Sequence, residues 1–220
     1  MHPGSRIAFN GKSSPRWARY RILESAPPPC TIATMIKTAF FVFALGVATA
    51  SYAAEPILDN ERVTVWDTTS SLPPAQHDFV AVSLSHTGIA TLGKKGDVAG
   101  KTGSRTVVIE LKDHPLPSIP NTSGYPLAFP RPNAKKLLEN CQVVVWNNVW
   151  HTGKPTPMHF HDKDALVVYE ATGALQSTSA DGTQVVSDYH YGQIRFSPRD
   201  HTHTEVLVRG HGHAVIIELK

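Results

Sequence analysis

The chain has 220 residues, enough for one or two domains, and its 41% apolar and 18% charged residues are typical of a soluble globular protein. Seventeen Pro, fifteen Gly and abundant β-branched residues favour an all-β fold with many turns, while twelve His are the one unusual count. The net charge of +3 gives no argument for nucleic acid binding, because from residue 54 onwards 15 Lys and Arg face 17 Asp and Glu, a formal charge of −2.

The N-terminal segment predicts an export signal that begins at Met35 rather than at Met1. A short basic stretch with Lys37 precedes an apolar run over residues 39–50. This run is too short to span a bilayer and suits the core of a signal peptide. No later segment reaches the length of a transmembrane helix, so we expect no membrane contact after the signal is removed.

Ser51 and Ala53 place small residues at the two positions that a signal peptidase reads, which predicts cleavage after Ala53, with the site after Ala54 as the alternative. Residues 1–53 are therefore interpreted as a leader, with the signal peptide at 35–53. The expected location of the mature protein is periplasmic or secreted.

An internal repeat divides the remaining chain into two related units. Residues 61–67 resemble residues 141–147, and residues 105–112 resemble residues 213–220. The same order of elements occurs twice, so two structurally related units are expected. The predicted divisions are a shortened unit at 54–112, a proline-rich strap with a short helix at 113–140, and a full unit at 141–220.

The first unit is the shorter, and its missing part is expected between Gly100 and Arg105. About 50 residues cannot close a barrel around a core of their own, so we expect this unit to pack against the second. Six prolines in residues 113–133 exclude regular structure from the strap. Asn133 is a suitable N-cap for a short helix over residues 134–140.

The second unit is predicted to consist of short strands separated by turn residues. Glycine, proline and aspartate occur between the apolar runs at short intervals, as turns require. This pattern predicts a sandwich or a jelly-roll barrel. The expected strands lie near 142–150, 157–161, 164–171, 173–179, 183–188, 192–197, 203–209 and 213–219.

One group of histidines is a candidate metal site. His159 and His161 alternate along a predicted strand, so their imidazoles point to the same face at a separation that suits two ligands of one metal. Such a pair alone is more often a polar strand face. Asp164 close behind it, and His203 some forty residues later on the same predicted barrel, favour the metal site.

The spacing of these residues resembles the two sequence motifs of the cupin superfamily. Residues 153–161 match the G-x5-H-x-H part of the first motif, and residues 192–203 match the second, G-x5-P-x-G-x2-H, with Asp200 where glycine is usual. The resemblance covers residues 141–220 well and residues 61–112 faintly. It implies an all-β protein: a cupin jelly-roll barrel with a second, shortened cupin-like unit packed against it, similar to bicupins with one degenerate unit. The nearest type is the small cupins assigned to beta-alanine degradation.

The resemblance also implies a ligand set. His159, His161 and His203 are the expected metal ligands, and Asp164 is carried over as the fourth although it follows after two residues where the family has a glutamate after three or four. A slip in register would make His201 the third histidine. Glu205 shares its strand face and is an expected neighbour of the site.

Two further predictions concern the orientation of Arg195 and the role of the first unit. Arg195 is expected to face outward, because Ile194 and Phe196 then fill the core; the alternative is that it faces the lumen, where it could pair with a substrate carboxylate. In the first unit Ala75 and Gln76 stand where the paired histidines would be, so this unit is interpreted as structural.

Three neutral imidazoles and a carboxylate suit Fe, Mn, Ni, Cu or Zn as a divalent ion. A metal with open positions can polarise a carbonyl or react with dioxygen. The leading hypothesis is a metal-dependent enzyme of the dioxygenase type acting on a small organic substrate, with an isomerase or a decarboxylase next, because a fold does not fix a reaction. The alternatives are a non-catalytic periplasmic small-molecule-binding cupin and a structural cupin. A homodimer is an open alternative, since the repeat offers an internal partner for the same surface.

Overall fold

The computed structural model describes residues 55–85 and 87–220, and the regular elements of these residues are all strands. The predicted leader and its signal peptide lie outside the described residues. Within the described ranges, no helix has the length and apolarity that a membrane crossing needs. In chain order the strands are β1 (Leu58–Asp59), β2 (Val63–Thr68), β3 (Phe79–Ser83), β4 (Ile89–Gly93), β5 (Thr106–Leu111), β6 (Ala134–Glu139), β7 (Val143–Trp150), β8 (His159–His161), β9 (Ala165–Tyr169), β10 (Gly173–Ser179), β11 (Gln184–Tyr189), β12 (Ile194–Ser197), β13 (His201–Gly210) and β14 (Gly212–Leu219).

The second unit is a jelly roll. Its eight strands form two antiparallel sheets with the orders β7-β14-β9-β12 and β8-β13-β10-β11. Successive strands pass back and forth between the two sheets, with only β10 and β11 remaining in one sheet as a hairpin, which is the jelly-roll connectivity. The predicted all-β fold class is therefore confirmed, and the observed strands lie within a few residues of the expected ones.

The first unit reproduces only one of these two sheets. Its order β2-β5-β3-β4 matches β7-β14-β9-β12, and the registers agree as well. Val63 pairs with Leu111 as Val143 pairs with Leu219. The second sheet is replaced by short connections after β2, β3 and β4, so the expectation of a single gap between residues 100 and 105 is wrong.

The two matching sheets pack face to face and share one apolar core. Twelve side chains at its centre, six from each sheet, have no exposed surface. Burying a Val, Leu or Ile side chain stabilises a fold by roughly 1.5–3 kcal/mol, so neither sheet can separate without a large loss. These side chains are Val63, Val65, Val80, Val82, Val107 and Ile109 of the first unit, and Val143, Val145, Leu166, Val168, Val215 and Ile217 of the second.

A second core fills the interior of the jelly roll. Because side chains alternate along a strand, β9 turns Leu166 and Val168 towards the first unit, and Ala165 and Tyr169 towards the barrel interior. The interior cluster also contains Trp146, Trp150, Leu175 and Leu207, together with Ala128 and Phe129 of the strap.

The orientation expected for Arg195 is wrong. Arg195 is paired with Val167, so it lies on the interior face of its sheet, and its guanidinium lies 5.9 Å from the centroid of the Tyr169 ring. Ile194 and Phe196 do pack against a core, as expected, but it is the core between the two units.

The helix expected over residues 134–140 is also wrong, because this segment forms strand β6. It pairs with β7 along the edge of the sheet, and Leu138 packs against the core between the units. Asn133, the expected N-cap, instead has a φ of 64° and turns the chain into the strand. The residues favour a helix, but pairing with an existing strand edge outweighs that modest propensity.

Candidate metal centre

Two neighbouring antiparallel strands, β8 and β13, bring four histidines onto one face. Their register places His203 opposite His159 and His201 opposite His161. Opposed and alternate residues of such a pair share a face, so the four rings form a compact cluster. The face is turned towards the barrel interior, because Leu207, which shares it on β13, lies in the interior core.

Three of these imidazoles aim their Nε2 atoms at one another. Nε2 of His161 lies 3.2 Å from Nε2 of His159 and 3.2 Å from Nε2 of His203, and the three ligand atoms all lie within 4.8 Å of one another. A metal about 2.1 Å from each nitrogen holds neighbouring ligand atoms about 3.0–3.4 Å apart in octahedral or tetrahedral coordination. The three residues are therefore suited to hold one ion. The fourth, His201, stacks on His161 with ring centroids 4.3 Å apart.

Hydrogen bonds to the other ring nitrogens orient two of the imidazoles. Nδ1 of His159 lies 2.7 Å from the carbonyl oxygen of Pro157, an atom that only accepts, so Nδ1 carries the proton and Nε2 keeps its lone pair. Nδ1 of His203 lies 3.1 Å from the hydroxyl oxygen of Ser177. Partners of this kind fix the tautomer and the ring direction of metal-binding histidines.

Burial keeps the three imidazoles neutral. Burial, together with the adjacent positive charge of Arg131, lowers the pKa of His159 to about 4. Burial likewise lowers the pKa values of His161 and His203, with repulsion between the neighbouring rings adding to the effect for both. A neutral imidazole is the form that binds a metal.

The strap supplies an arginine that the sequence analysis did not identify. Residues 126–128 pair alongside β8 through Phe160, and Phe129 stacks on Trp146. The chain then directs Arg131 into the barrel, where its Nη1 donates to Nε2 of His159 at 3.0 Å. Its Nε donates to the side-chain oxygen of Asn148 at 3.1 Å. No motif marks Arg131, because it lies between two prolines in a segment without periodicity.

Glu205 lies beside this arginine, as expected from its strand face. Its Oε2 accepts from Nε1 of Trp150 at 3.0 Å and from Nη2 of Arg131 at 3.5 Å. Burial by itself raises the pKa of Glu205, but Arg131 and the histidines outweigh this and lower it overall. The carboxylate is therefore charged and balances the guanidinium.

The structure does not bring Asp164 to the histidines. Asp164 shares the strand face of Leu166, which looks towards the first unit, and its Oδ2 accepts from Nη1 of Arg62 at 2.8 Å. Its Oδ1 accepts the backbone N–H of Arg199. Asp164, the expected fourth ligand, thus forms a buried ion pair between the units, because the alternation of side chains along β9 turns it away from the barrel interior.

In the first unit, the positions of the paired histidines are occupied as the sequence indicates. Ala75 is buried in a small cluster with Phe79 and Ala99. The backbone N–H of Gln76 donates to the Glu110 carboxylate at 3.2 Å. This face of the first sheet is closed by its own loops and offers no matching ring of ligands among the described residues.

Fold and site together define a jelly-roll protein whose barrel interior carries three histidines suited to a metal. The solved structures to which this chain is similar include cupin domains. A cupin domain from Bordetella pertussis has 27% identity, covers 42% of this chain and 99% of its own, and has a TM-score of 0.36. A cupin 2 conserved barrel domain protein from Leptotrichia buccalis has 14% identity, covers 80% of this chain and 92% of its own, and has a TM-score of 0.41.

An RmlC-like cupin family protein from Methanocaldococcus jannaschii, described as a double-stranded β-helix, has 14% identity, covers 49% of this chain and 91% of its own, and has a TM-score of 0.34. No protein-family model and no curated protein matches the sequence. The predicted jelly roll is confirmed by the strand order of the chain itself.

Proposed function

We propose that this protein is a metal-dependent enzyme of the cupin type, with His159, His161 and His203 as the protein ligands. The observation that carries the proposal is the convergence of three neutral Nε2 atoms in a buried barrel interior. Three ligands leave coordination positions open, as in catalytic metal sites and unlike closed structural ones. The proposed reaction class is dioxygenase-type oxidation of a small organic substrate.

The residues of the chain have separate parts in such a centre. A bound Fe, Mn, Ni, Cu or Zn ion would supply Lewis acidity and, for redox-active ions, reactivity towards dioxygen. Pro157 and Ser177 hold the rings of His159 and His203 in the ligating orientation. Trp150, on the interior face of β7, is buried and excludes water from the space around the cluster.

Metal analysis of the purified full chain tests the site. We expect close to one equivalent of transition metal in the wild type after expression with supplemented metal, and loss of retention in His159→Ala and His161→Ala. His211→Ala, which removes an exposed turn histidine of the same unit, is the matched control and retains the metal. Less than about 0.1 equivalent in the wild type, or retention unaffected by the two ligand substitutions, refutes the site.

Oxygen uptake then tests the reaction class. The iron-loaded and manganese-loaded proteins are assayed with a panel of phenols, diketones and thiols, with His161→Ala as the blank. Metal-dependent oxygen uptake with one class of compound supports the dioxygenase hypothesis. Tight binding of a panel member without turnover favours a binding protein.

A non-catalytic small-molecule-binding or structural cupin is the second candidate. It is favoured by the contact between Nη1 of Arg131 and Nε2 of His159, because that hydrogen bond uses the lone pair that a metal requires. A wild-type chain that folds stably and takes up none of the five metals supports this candidate.

We also propose export, from the sequence over residues 35–53. N-terminal sequencing of the protein recovered from the cell envelope fraction is the test. A mature chain that starts at residue 54 or 55 supports it, and an N-terminus upstream of Met35 refutes it.

A further inference from the structure

Arg131 and a metal ion compete for one lone pair. Nη1 of Arg131 donates to Nε2 of His159, and Nδ1 of that ring already faces the carbonyl oxygen of Pro157. Imidazole has one acceptor nitrogen in its neutral form. When a metal binds Nε2 of His159, Nη1 therefore loses its acceptor.

A buried cationic donor cannot remain without an acceptor. The Arg131 side chain is 5% exposed, and leaving such a group unpaired costs more free energy than an ordinary hydrogen bond returns. Its Nε is held by Asn148, which limits how far the guanidinium can withdraw. The remaining partner, Glu205, lies at the outer limit of a hydrogen bond, 3.5 Å from Nη2.

The charge of the metal-loaded centre also calls for a further, negatively charged ligand. An imidazole that binds a metal is neutral, and Arg131 is paired with the Glu205 carboxylate, so a divalent ion brings an uncompensated charge of about +2 into a buried site. Among the described residues the ion's expected carboxylate ligand, Asp164, is engaged with Arg62 instead. Negative charge must then come from the ligand that fills the open positions.

The geometry points to Arg131 as the residue that selects the substrate class: a small organic anion whose carboxylate accepts N–H groups of Arg131 while the molecule binds the metal. This inference rests on the proposed metal centre. A planar guanidinium can donate two parallel hydrogen bonds to a carboxylate, so the ligand that matches these donors carries a carboxylate next to a metal-binding oxygen.

The competition between Arg131 and the metal couples binding of the metal to binding of the anion. The anion supplies the acceptor that the metal removes from Arg131, so each should raise the affinity of the protein for the other by the same factor. Arg131 by itself should oppose the metal, because it occupies the lone pair of His159 and repels a cation. Replacing Arg131 by methionine is therefore expected to strengthen binding of the metal alone and to weaken binding of the anion.

The test uses the full chain loaded with cobalt(II), whose visible absorption reports the ligands, and a pair of probes of similar size. Glycolate carries a carboxylate beside its hydroxyl group, and glycolamide carries a neutral amide in the same place. Both are titrated into the wild type, Arg131→Met and Arg195→Met. Arg195 is the matched control, a second arginine on the interior face that contacts Tyr169 rather than the histidines.

We expect the wild type to bind glycolate about 10- to 100-fold more tightly than glycolamide, the range for charge-assisted hydrogen bonds. Arg131→Met should lose this preference and keep one equivalent of cobalt, and Arg195→Met should behave as the wild type. Equal affinity for the two probes in the wild type, a preference that survives in Arg131→Met, or a preference lost only in Arg195→Met overturns the inference and leaves the metal site intact.

Failure of the proposed function gives a different result. A wild type without cobalt absorption before any probe is added refutes the metal centre, and the anion inference with it. If Arg131→Met does not fold by far-UV circular dichroism, the comparison of glycolate with glycolamide on the wild type still decides the charge preference. Arg131→Lys, which keeps the charge but donates from a single nitrogen, is then expected to show an intermediate preference.

Discussion

The first unit and the second unit share one sheet in strand order and in register, yet only the second adds the sheet that contains β8 and β13. In both units the shared sheet carries a tryptophan and a glutamate at equivalent positions: Trp66 and Glu110 in the first, Trp146 and Glu218 in the second. The shared sheets build the core between the units, while every candidate ligand lies on the sheet that the first unit lacks. The repeated sheet thus gives the second unit a structural partner, and the proposed metal centre depends on the sheet that the first unit lacks.

Equivalent residues of the shared core provide one of the two largest expected effects. Ile109 and Ile217 occupy matching registers and are both fully buried. Ile109→Ala and Ile217→Ala should each lower the free energy of unfolding by about 2–5 kcal/mol, because both open a cavity in the same core. Denaturant unfolding followed by tryptophan fluorescence and by circular dichroism should show one coincident transition for each variant. Separate transitions for the two units would contradict a shared core.

The aspartates Asp78 and Asp164 are equivalent in the repeat but differ in environment. Asp164 forms a buried ion pair with Arg62, whereas Asp78 pairs with Lys94, whose side chain is 75% exposed. Asp164→Ala should cost about 3–5 kcal/mol of stability, since it leaves a buried charge unpaired, and Asp78→Ala about 0–1 kcal/mol. Cobalt stoichiometry should stay at one in both variants, and loss of metal in folded Asp164→Ala would restore Asp164 as a ligand.

Glu218 predicts a pH dependence specific to the second unit. Burial raises its pKa above the ordinary value of 4.5, although Nε1 of Trp146 donates to it. Its contribution to stability is fully present below pH 4.5 and declines as the pH rises through its folded-state pKa. The melting temperature of Glu218→Gln relative to the wild type should therefore increase from pH 4 to pH 7 by a few degrees. A difference that is constant with pH, or that falls, would contradict the raised pKa.

The smallest expected effect concerns Asp200, which has a φ of 66°. The corresponding connection of the first unit, between β4 and β5, uses Gly96 and Gly100 at positive φ. Because glycine adopts this conformation without strain, Asp200→Gly should stabilise the fold by roughly 1 kcal/mol or less. Thermal unfolding measures the shift, and a clear loss of stability would indicate that the Asp200 side chain has a role of its own.

The sequence by itself determined the all-β class, the repeat and the histidine triad. These depend on local regularities: the two-residue period of strands, the spacing of turn residues and the alternation that puts His159 and His161 on one face. It also indicated correctly that the first unit lacks the paired histidines, since Ala75 and Gln76 are read directly from the chain.

Only the tertiary structure decided the roles of Asp164, Arg195, Arg131 and the segment at 134–139. Which of its two faces a strand turns towards the barrel interior depends on what packs against it. Here the first unit packs against the face that carries Asp164, and Arg195 lies on the face that looks into the barrel. Strand β6 forms because β7 offers it an open edge, and Arg131 reaches the histidines because the strap pairs with β8. The positions of Asp164, Arg195 and Arg131 depend on contacts between residues far apart in the chain, and β6 depends on pairing with the next strand, β7. The residue pattern of a single segment encodes neither kind of contact.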